Sequence, residues 1–241
     1  MRITRVYFPD SLRCGQQIKL PPDSAHHVAT VLRMKTDERL ALFNSEDGEF
    51  LARIVACKKS DVELSVEEQV ATHKEAAFRV TLCLGISRGD RMDFGIQKSV
   101  ELGVDHIQPF YSEYGDIRIK PQERVEKKIR HWQKIAVSAA EQCGRLDVPV
   151  VAPPVEIAAC LEAAGSPGVV LDPRGELEFS DLQLTDSVSL FIGPEGGFSE
   201  GEIKLARKLA CDVVKLGPRI LRTETAPVAA LAILQNRFGD M

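Results

Sequence analysis

The chain has 241 residues, of which 44% are hydrophobic and 27% charged, with a formal net charge of −4; these are the proportions of an ordinary soluble globular protein of one large or two modest domains. No apolar run approaches the roughly 20 residues needed to span a bilayer, and the start, MRITRVYFPD, lacks a signal-like apolar core. Its six scattered cysteines contain no C-x-x-C pair, which argues against a zinc site or a disulfide framework and predicts a reduced, metal-free cytoplasmic protein.

Positive charge is clustered although the net charge is negative. Residues 1–35 carry six basic and two acidic groups, which gives +4, and residues 117–134 carry seven basic and two acidic groups, which gives +5. Such segments on an acidic protein permit local contacts with phosphates without indiscriminate binding. A solvated helix face explains residues 117–134 equally well.

The first part of the chain is typical of a small β-rich unit. An Asn-Ser-Glu-Asp-Gly segment between two apolar runs predicts a hairpin turn at residues 44–48. A Pro-Asp-Ser segment at residues 22–24 predicts the entry to a short helix. We place this unit at residues 1–70 and a linker at residues 71–77, which lack an apolar period. The predicted strands are 3–8, 17–20, 39–43, 49–57 and 61–66.

Residues 78–241 alternate between strand and helix patterns. A nearly continuous apolar run at residues 78–86 predicts a buried parallel strand. Apolar positions with a period of 3.6 predict a long helix from Pro121 to Gly144, and Gly103 is expected to end an earlier helix. The other predicted elements are helices at about 91–102 and 155–164, and strands at 106–110, 169–172, 188–192 and 212–216.

Three predicted strands end in loops rich in glycine and proline. These loops are Gly193–Gly197, Gly217–Arg219 and Pro173–Gly175, and the first leads into a helix in which Ser199 and Glu202 have capping-box spacing. Such loops at the carboxyl ends of neighbouring parallel strands form a ligand crevice, and glycine permits close approach of the backbone to a ligand. The spacing excludes a P-loop and a G-x-G-x-x-G loop. The residues alone therefore predict an α/β protein with a ligand at one sheet edge.

The two most specific motifs are IGPEGGFS and LGPRILRTETA, and three others are HHVATVLRMK, QKSVELGV and EQCGRLDVP. Together they resemble the RsmE family of ribosomal RNA methyltransferases over nearly the whole chain. The resemblance implies a PUA-like β-barrel at residues 1–70 that docks RNA. It also implies an α/β SPOUT methyltransferase domain at residues 78–241, with a parallel sheet and a deep trefoil knot. The implied cofactor is S-adenosylmethionine, without a metal. The implied substrate is N3 of a uridine in small-subunit (16S) ribosomal RNA, within an assembled subunit, and the implied assembly is a homodimer.

The resemblance also suggests functional residues. Expected contacts with the cofactor are Leu171, Asp172, Ile192, Gly193, Pro194, Gly196, Gly197, Leu216, Gly217, Ile220, Leu221 and Arg222. Expected contacts with RNA are Arg2, Arg5, Arg33, Lys35, Arg88 and Arg145. For each of these arginines, a role in surface solubility is the competing interpretation.

Methylation at N3 requires removal of a proton that neutral uridine holds roughly two pKa units above neutral pH, at a cost of about 3 kcal/mol. Arg222 is the candidate to stabilise charge on the uracil oxygen. Glu224 or Glu195 is the candidate to accept the proton. In the competing interpretation, Thr223 and Glu224 instead mainly cap the last helix and pair locally.

One position departs from the family pattern, and two other functions compete. Tyr114 follows Ser112 and Glu113 where the family pattern suggests arginine, so we expect Tyr114 to stack on a base if that position contacts RNA. The first alternative is a SPOUT enzyme that methylates a transfer RNA ribose hydroxyl, and RILRTET argues against it. The second is a non-catalytic RNA-binding or ribosome assembly factor, and the glycines of the three loops argue against it.

Overall fold

The computed structural model describes residues 3–58, 61–72, 78–165 and 167–241. Clustering of backbone contacts divides the chain into two compact units. The first contains Met1–Glu75 and Ala140–Val148, and the second contains Ala76–Ala139 and Pro149–Met241. Residues 140–148 therefore belong with the first unit, whereas the sequence prediction placed them in the second.

The first unit is built on a five-stranded sheet. The strands are β1 (Arg5–Tyr7), β2 (Gln17–Lys19), β3 (Arg39–Asn44), β4 (Gly48–Lys58) and β5 (Asp61–Ala71). Their order in the sheet is β1-β3-β4-β5-β2, and the pairs are antiparallel except for β1 and β3, which are parallel. A short helix, α1 (Pro22–His26), continues into a π-helical turn at His27–Val31.

The predicted hairpin turn is confirmed, because Asn44 pairs with Gly48 across β3 and β4. The Asn44 side-chain oxygen accepts hydrogen bonds from the backbone N–H groups of Glu46 (3.1 Å) and Asp47 (2.6 Å). This local bonding is why asparagine favours turns. The linker boundary is corrected: β5 reaches Ala71, and residues 73–77 of the predicted linker lie outside the described residues.

The second unit is an α/β structure around an eight-stranded sheet, which confirms the predicted fold class. The strands are β6 (Arg79–Gly85), β7 (His106–Tyr111), β8 (Val150–Val151), β9 (Val155–Glu156), β10 (Gly168–Leu171), β11 (Leu177–Glu178), β12 (Ser187–Ile192) and β13 (Asp212–Lys215). The main path of the sheet runs β11-β13-β10-β12-β6-β7-β8, and β9 also pairs with β7. All of these pairs of strands are parallel. The helices are α2 (Asp90–Glu101), α3 (Gln122–Cys143), α4 (Ile157–Ala163), α5 (Glu200–Lys208) and α6 (Thr225–Phe238).

Local sequence signals set the helix boundaries of this unit. Ser199 caps α5, because its hydroxyl accepts from the Glu202 N–H (3.2 Å) while its own N–H donates to the Glu202 carboxylate (2.7 Å). Gly103 and Gly144 follow α2 and α3 with φ angles of 84° and 95°, a conformation that glycine adopts without strain. The predicted helix at 155–164 begins later, because Val155 and Glu156 form β9.

The core explains why the apolar runs of this sheet are continuous. Parallel strands covered on both faces bury almost every side chain, and four of the six residues of β12 are less than 4% exposed. A cluster around Phe110, Phe191 and Phe198 packs α4 and α5 against the sheet, with the rings of Phe110 and Phe198 stacked at 6.0 Å. This rigid sheet fixes the strand ends from which the loops of the candidate site extend.

Candidate functional site

Three loops at the carboxyl edge of the sheet line one cavity of about 370 Å³. They follow β10, β12 and β13, as the sequence predicts. One detail differs: β12 and β13 are not neighbours, because β10 lies between them and pairs with both. The loop after β10 is therefore the central one of the three. A cavity of this volume is in the usual range for small-molecule sites.

Eleven of the twelve residues predicted to contact the cofactor line this cavity. They are Leu171, Asp172, Ile192, Gly193, Pro194, Gly197, Leu216, Gly217, Ile220, Leu221 and Arg222. Five of them supply aliphatic side chains, among which Ile220 is 81% exposed. The loops also bring backbone groups to the wall at glycine and proline positions. Apolar walls with nearby backbone donors and acceptors fit an adenine ring, so the residues present are compatible with S-adenosylmethionine.

Gly196 is the exception among the predicted contacts. It does not appear in the cavity lining. A Cβ atom at this position would lie 2.6 Å from the Tyr114 carbonyl oxygen and 2.8 Å from the Tyr114 Cβ. Glycine is therefore needed because the Tyr114 segment packs directly against the loop, and the contact of Gly196 with the cofactor stays a prediction. Tyr114 itself is 51% exposed, so its predicted stacking on a base stays a prediction.

Six lining residues were predicted neither as contacts nor as proton acceptors. Pro173 and Arg219 belong to predicted loops, Phe198 and Thr223 flank predicted positions, and Ala226 lies two residues after Glu224. Arg91 is different, because it lies on α2, far from these loops in sequence. Only the tertiary structure brings Arg91 to the cavity, and no spacing in the sequence indicates it. The missed residues are Arg91, Pro173, Phe198, Arg219, Thr223 and Ala226.

The two candidate proton acceptors have different surroundings. Glu195 accepts hydrogen bonds from the Arg91 guanidinium (3.0 Å) and the Arg88 backbone N–H (3.2 Å). Burial raises the pKa of Glu195, but the hydrogen bonds from its own backbone N–H, from Arg88 and from Arg91 outweigh burial and leave the pKa below its usual value. A carboxylate held in its charged form in this way is a weak base.

Glu224 carries an unsatisfied acceptor. Its Oε2 atom is buried and has no hydrogen-bond partner among the described residues, and the Nε atom of Arg91 lies 4.0 Å away. A buried carboxylate oxygen without a donor is costly unless a ligand supplies one. The geometry therefore favours Glu224 over Glu195 as the group that meets a donor from the substrate.

The capping part of the competing interpretation of Thr223 and Glu224 is wrong. Glu224 occupies the N-cap position of α6 but makes no side-chain capping bond. The Thr223 hydroxyl instead donates to the Gly193 carbonyl oxygen (3.0 Å). The entry to α6 is held by the Arg222 carbonyl oxygen, which accepts from the N–H groups of Thr225 and Ala226 at 2.9 Å each.

Asp172 joins the central loop to the loop after β12. Its carboxylate, only 3% exposed, accepts two bonds of 2.8 Å from the Arg174 guanidinium, which also donates to the Phe198 carbonyl oxygen (2.8 Å). Burial raises the pKa of Asp172, but the hydrogen bonds and charge of Arg174 outweigh it, so the pKa lies below its usual value. This ion pair fixes one wall of the cavity.

The predicted RNA contacts have unlike environments. Arg5 is corrected: its side chain is 7% exposed, it pairs with Glu49 (2.9 Å), and it donates to the carbonyl oxygens of Ala140 (2.8 Å) and Arg145 (2.9 Å). Arg5 is therefore an internal cross-link of the first unit, and its side chain is too buried to contact a phosphate. Arg145 supplies one of these carbonyls and is itself half-buried, and Arg2 lies outside the described residues.

Arg33, Lys35 and Arg88 do lie on the surface. Arg33 and Lys35 follow the π-helical turn of the first unit, and Arg33 has a positive φ angle of 55°, which is uncommon for a residue other than glycine. The Arg88 guanidinium pairs with Asp116 at 2.6 Å with both side chains 70% exposed. An exposed pair of this kind contributes little stability, so a phosphate can replace Asp116 at small cost.

Comparison with known proteins agrees with this geometry. The family model of an RNA methyltransferase domain matches residues 74–235, and that of an RNA methyltransferase PUA domain matches residues 20–67. The ribosomal RNA small subunit methyltransferase E of Buchnera aphidicola (from Schizaphis graminum) is 36% identical, over 100% of this chain and 98% of the relative. This chain belongs to the ribosomal RNA small subunit methyltransferase E family. The predicted resemblance is thereby confirmed.

Solved structures of similar proteins extend this result to the cofactor. The family member from Neisseria gonorrhoeae was solved bound to S-adenosylmethionine; it is 36% identical, and the match covers 100% of each chain with a TM-score of 0.91. A Legionella pneumophila protein, 37% identical, was solved in complex with the same cofactor and matches over 100% of each chain with a TM-score of 0.96. Among the described residues, no helix is both long and apolar enough to cross a membrane.

Proposed function

We propose that this chain transfers the methyl group of S-adenosylmethionine to N3 of a uridine in small-subunit ribosomal RNA. One observation carries the proposal beyond family membership: the Glu224 carboxylate has a buried oxygen without a donor at the wall of a cavity suited to the cofactor. An imide N–H is a donor that this oxygen lacks, and uridine N3 carries one.

The loops after β10, β12 and β13 hold the cofactor in this proposal. Leu171, Ile192 and Leu216 supply apolar contacts for the adenine, and the backbone of Gly193 and Gly217 approaches its edge. When bound, S-adenosylmethionine supplies a methyl group that is already activated for transfer to a nucleophile. The chain must then create the nucleophile, because neutral uridine is unreactive at N3.

Glu224 accepts the N3 proton, and Arg222 stabilises the charge that this leaves on the ring. The N3–H bond breaks, its electron pair stays on the base and spreads to the carbonyl oxygens, and the proton moves to the carboxylate. A guanidinium at one of those oxygens lowers the cost of about 3 kcal/mol for ionising uridine at neutral pH. The N3 electron pair would then form the bond to the methyl carbon as the bond between that carbon and the sulfonium sulfur breaks, and the C–S electron pair would stay on the sulfur of the departing S-adenosylhomocysteine.

The first unit docks the RNA through Arg33 and Lys35, and Arg88 contacts the substrate near the cavity. N3 lies on the Watson–Crick edge, so the target base must leave its pairing and stack, which favours a single-stranded or distorted region of an assembled subunit. We place the reaction in the cytoplasm and expect the enzyme to act as a homodimer, with the chain of the second unit tied in a trefoil knot.

Methyl transfer from labelled S-adenosylmethionine to small subunits that lack the modification tests this function. Nucleoside mass spectrometry of the digested RNA should yield 3-methyluridine. Glu224→Gln should lower turnover by about a hundredfold or more, with cofactor affinity within about threefold of wild type. Glu195→Gln is the matched control at the same cavity and should lose much less. Another methylated nucleoside would refute the acceptor. Cofactor binding without any product would point to a different RNA or acceptor, and the absence of cofactor binding would favour a non-catalytic assembly factor.

A further inference from the structure

A chain of buried hydroxyl groups connects the exits of three strands in the second unit. Ser87 follows β6 and Thr223 follows β13, and both side chains are buried. The two hydroxyl oxygens lie 3.1 Å apart. Thr223 Oγ1 is also 3.0 Å from the carbonyl oxygen of Gly193, which follows β12, and Ser87 Oγ is 3.2 Å from the carbonyl oxygen of Gly85.

Proton counting shows that three contacts share two protons. Each hydroxyl has one proton, and the carbonyl oxygens of Gly193 and Gly85 can only accept. The contact between the two hydroxyls therefore uses a proton that one of them also directs to its carbonyl, and either hydroxyl can be the donor. Thr223 thus reaches Gly193 and Ser87 through a single hydroxyl. Valine has the same shape as threonine but replaces neither bond.

Each connected residue lies close in sequence to a charged residue of the cavity. Arg91 lies four residues after Ser87, Glu195 lies two residues after Gly193, and Glu224 directly follows Thr223. Arg91 links the two carboxylates, because its guanidinium lies 3.0 Å from Glu195 and 4.0 Å from Glu224. The buried hydroxyl chain thus holds the backbone of all three segments that carry the charged cluster.

We propose that Thr223 is a positioning residue for methyl transfer, which sets Arg222 and Glu224 against the Gly193 loop through its bonds to Gly193 and Ser87. This inference rests on the proposed function of the same cavity. Its physical reason is geometric: the proton acceptor must face N3 while the cofactor is held by the Gly193 loop. A shift of about 1 Å between such groups can lower a rate by about a hundredfold.

The test compares Thr223→Val, Thr223→Ser, Ser87→Ala and the double variant Thr223→Val with Ser87→Ala. We expect Thr223→Val to lower kcat by at least about tenfold while the dissociation constant of S-adenosylmethionine changes less than about threefold. Thr223→Ser keeps the hydroxyl and should stay near wild type. Ser87 does not line the cavity, so Ser87→Ala should lower kcat less. The double variant should equal Thr223→Val alone, because one broken chain cannot be broken twice.

Three results would overturn the proposal. They are wild-type kcat in Thr223→Val, equal losses in Thr223→Ser and Thr223→Val, or independent, multiplying losses in the double variant. Absence of methyl transfer by the wild-type protein would instead refute the proposed function. Crystal structures of wild type and Thr223→Val with S-adenosylmethionine then decide the positioning role without activity. A displaced Glu224 carboxylate relative to Gly193 supports it, and an unchanged carboxylate overturns it.

Discussion

The role of Arg5 can be tested directly, because the sequence predicts a contact with RNA and the structure shows a buried ion pair. Its five guanidinium N–H groups have five acceptor contacts within the first unit: two with Glu49, and one each with the carbonyl oxygens of Ala140, Glu141 and Arg145. The guanidinium also lies 4.1 Å from the centre of the Phe43 ring. The change Arg5→Met keeps much of the side-chain volume and removes every one of these bonds.

The expected loss follows from burial. With the arginine side chain 7% exposed and the Glu49 side chain 17% exposed, solvent cannot replace the lost partner readily. Removing one member of a buried ion pair costs about 3–5 kcal/mol of unfolding free energy, because it leaves the other charge uncompensated. In a chain of this length, each kcal/mol corresponds to about 2–4 °C in melting temperature. We therefore expect Arg5→Met to melt at least about 6 °C below wild type.

Thermal and urea unfolding, followed by circular dichroism, measure this loss. Arg39→Met is the matched control in the same sheet, because the Arg39 side chain is 53% exposed in its pair with Glu67, and such pairs contribute about 0–1 kcal/mol. The salt dependence of RNA binding should be the same in Arg5→Met and wild type. Stability like that of Arg39→Met, together with a shallower salt dependence, would refute the structural role and restore the phosphate contact.

Three further predictions concern the cavity and the RNA-binding surface. Gly196→Ala should weaken S-adenosylmethionine binding by about tenfold or more, because the added Cβ would force the loop away from Tyr114. Gly201→Ala in α5 is the control, because a Cβ at Gly201 would lie 3.7 Å from its nearest neighbour, Ser199 Oγ. This control variant should be as stable as wild type or more stable by about 0.5–1 kcal/mol. Asp172→Asn should lower stability at neutral pH. The folded pKa of Asp172 lies below the unfolded value of about 3.9. The loss of stability in Asp172→Asn should therefore be full at pH values above the unfolded pKa and should shrink as the pH falls through the folded pKa. A loss of stability that does not change with pH would count against the ion pair. Replacing Arg33 and Lys35 together by alanine should reduce the salt slope of RNA binding by about two, and an unchanged slope would exclude them from phosphate contact.

Local signals in the sequence predicted most of the fold. The capping box at Ser199 and the turn at residues 44–48 depend on bonds between residues a few positions apart, so spacing alone reveals them. The apolar runs of β6 and β12 are equally clear, because a parallel strand is buried on both faces. The cavity loops followed from the same logic, since each loop directly follows a strand whose end is fixed by the sheet.

The remaining features depend on distant contacts that no spacing reveals. Arg91 reaches the cavity only because α2 follows β6, which pairs with β12. Gly196 looks like a ligand contact in sequence but is required by the Tyr114 backbone, more than 80 positions away. Arg5 was counted as surface charge because a lone arginine usually is. Its partners at residues 140–145 approach it only in the folded first unit.

The division of labour between the two carboxylates follows from the same distant contacts. Arg91 bonds directly to Glu195 and approaches Glu224 only to 4.0 Å. The Arg91 guanidinium thus hydrogen-bonds to the first carboxylate, whereas the second has a buried oxygen that receives no hydrogen bond from the described residues. In isolation, the motifs GPEGG and RTET each offer an equally plausible base. Because a base must be free to accept a proton, Arg91, which no motif indicated, distinguishes the two carboxylates and supports Glu224 as the base of the proposed reaction.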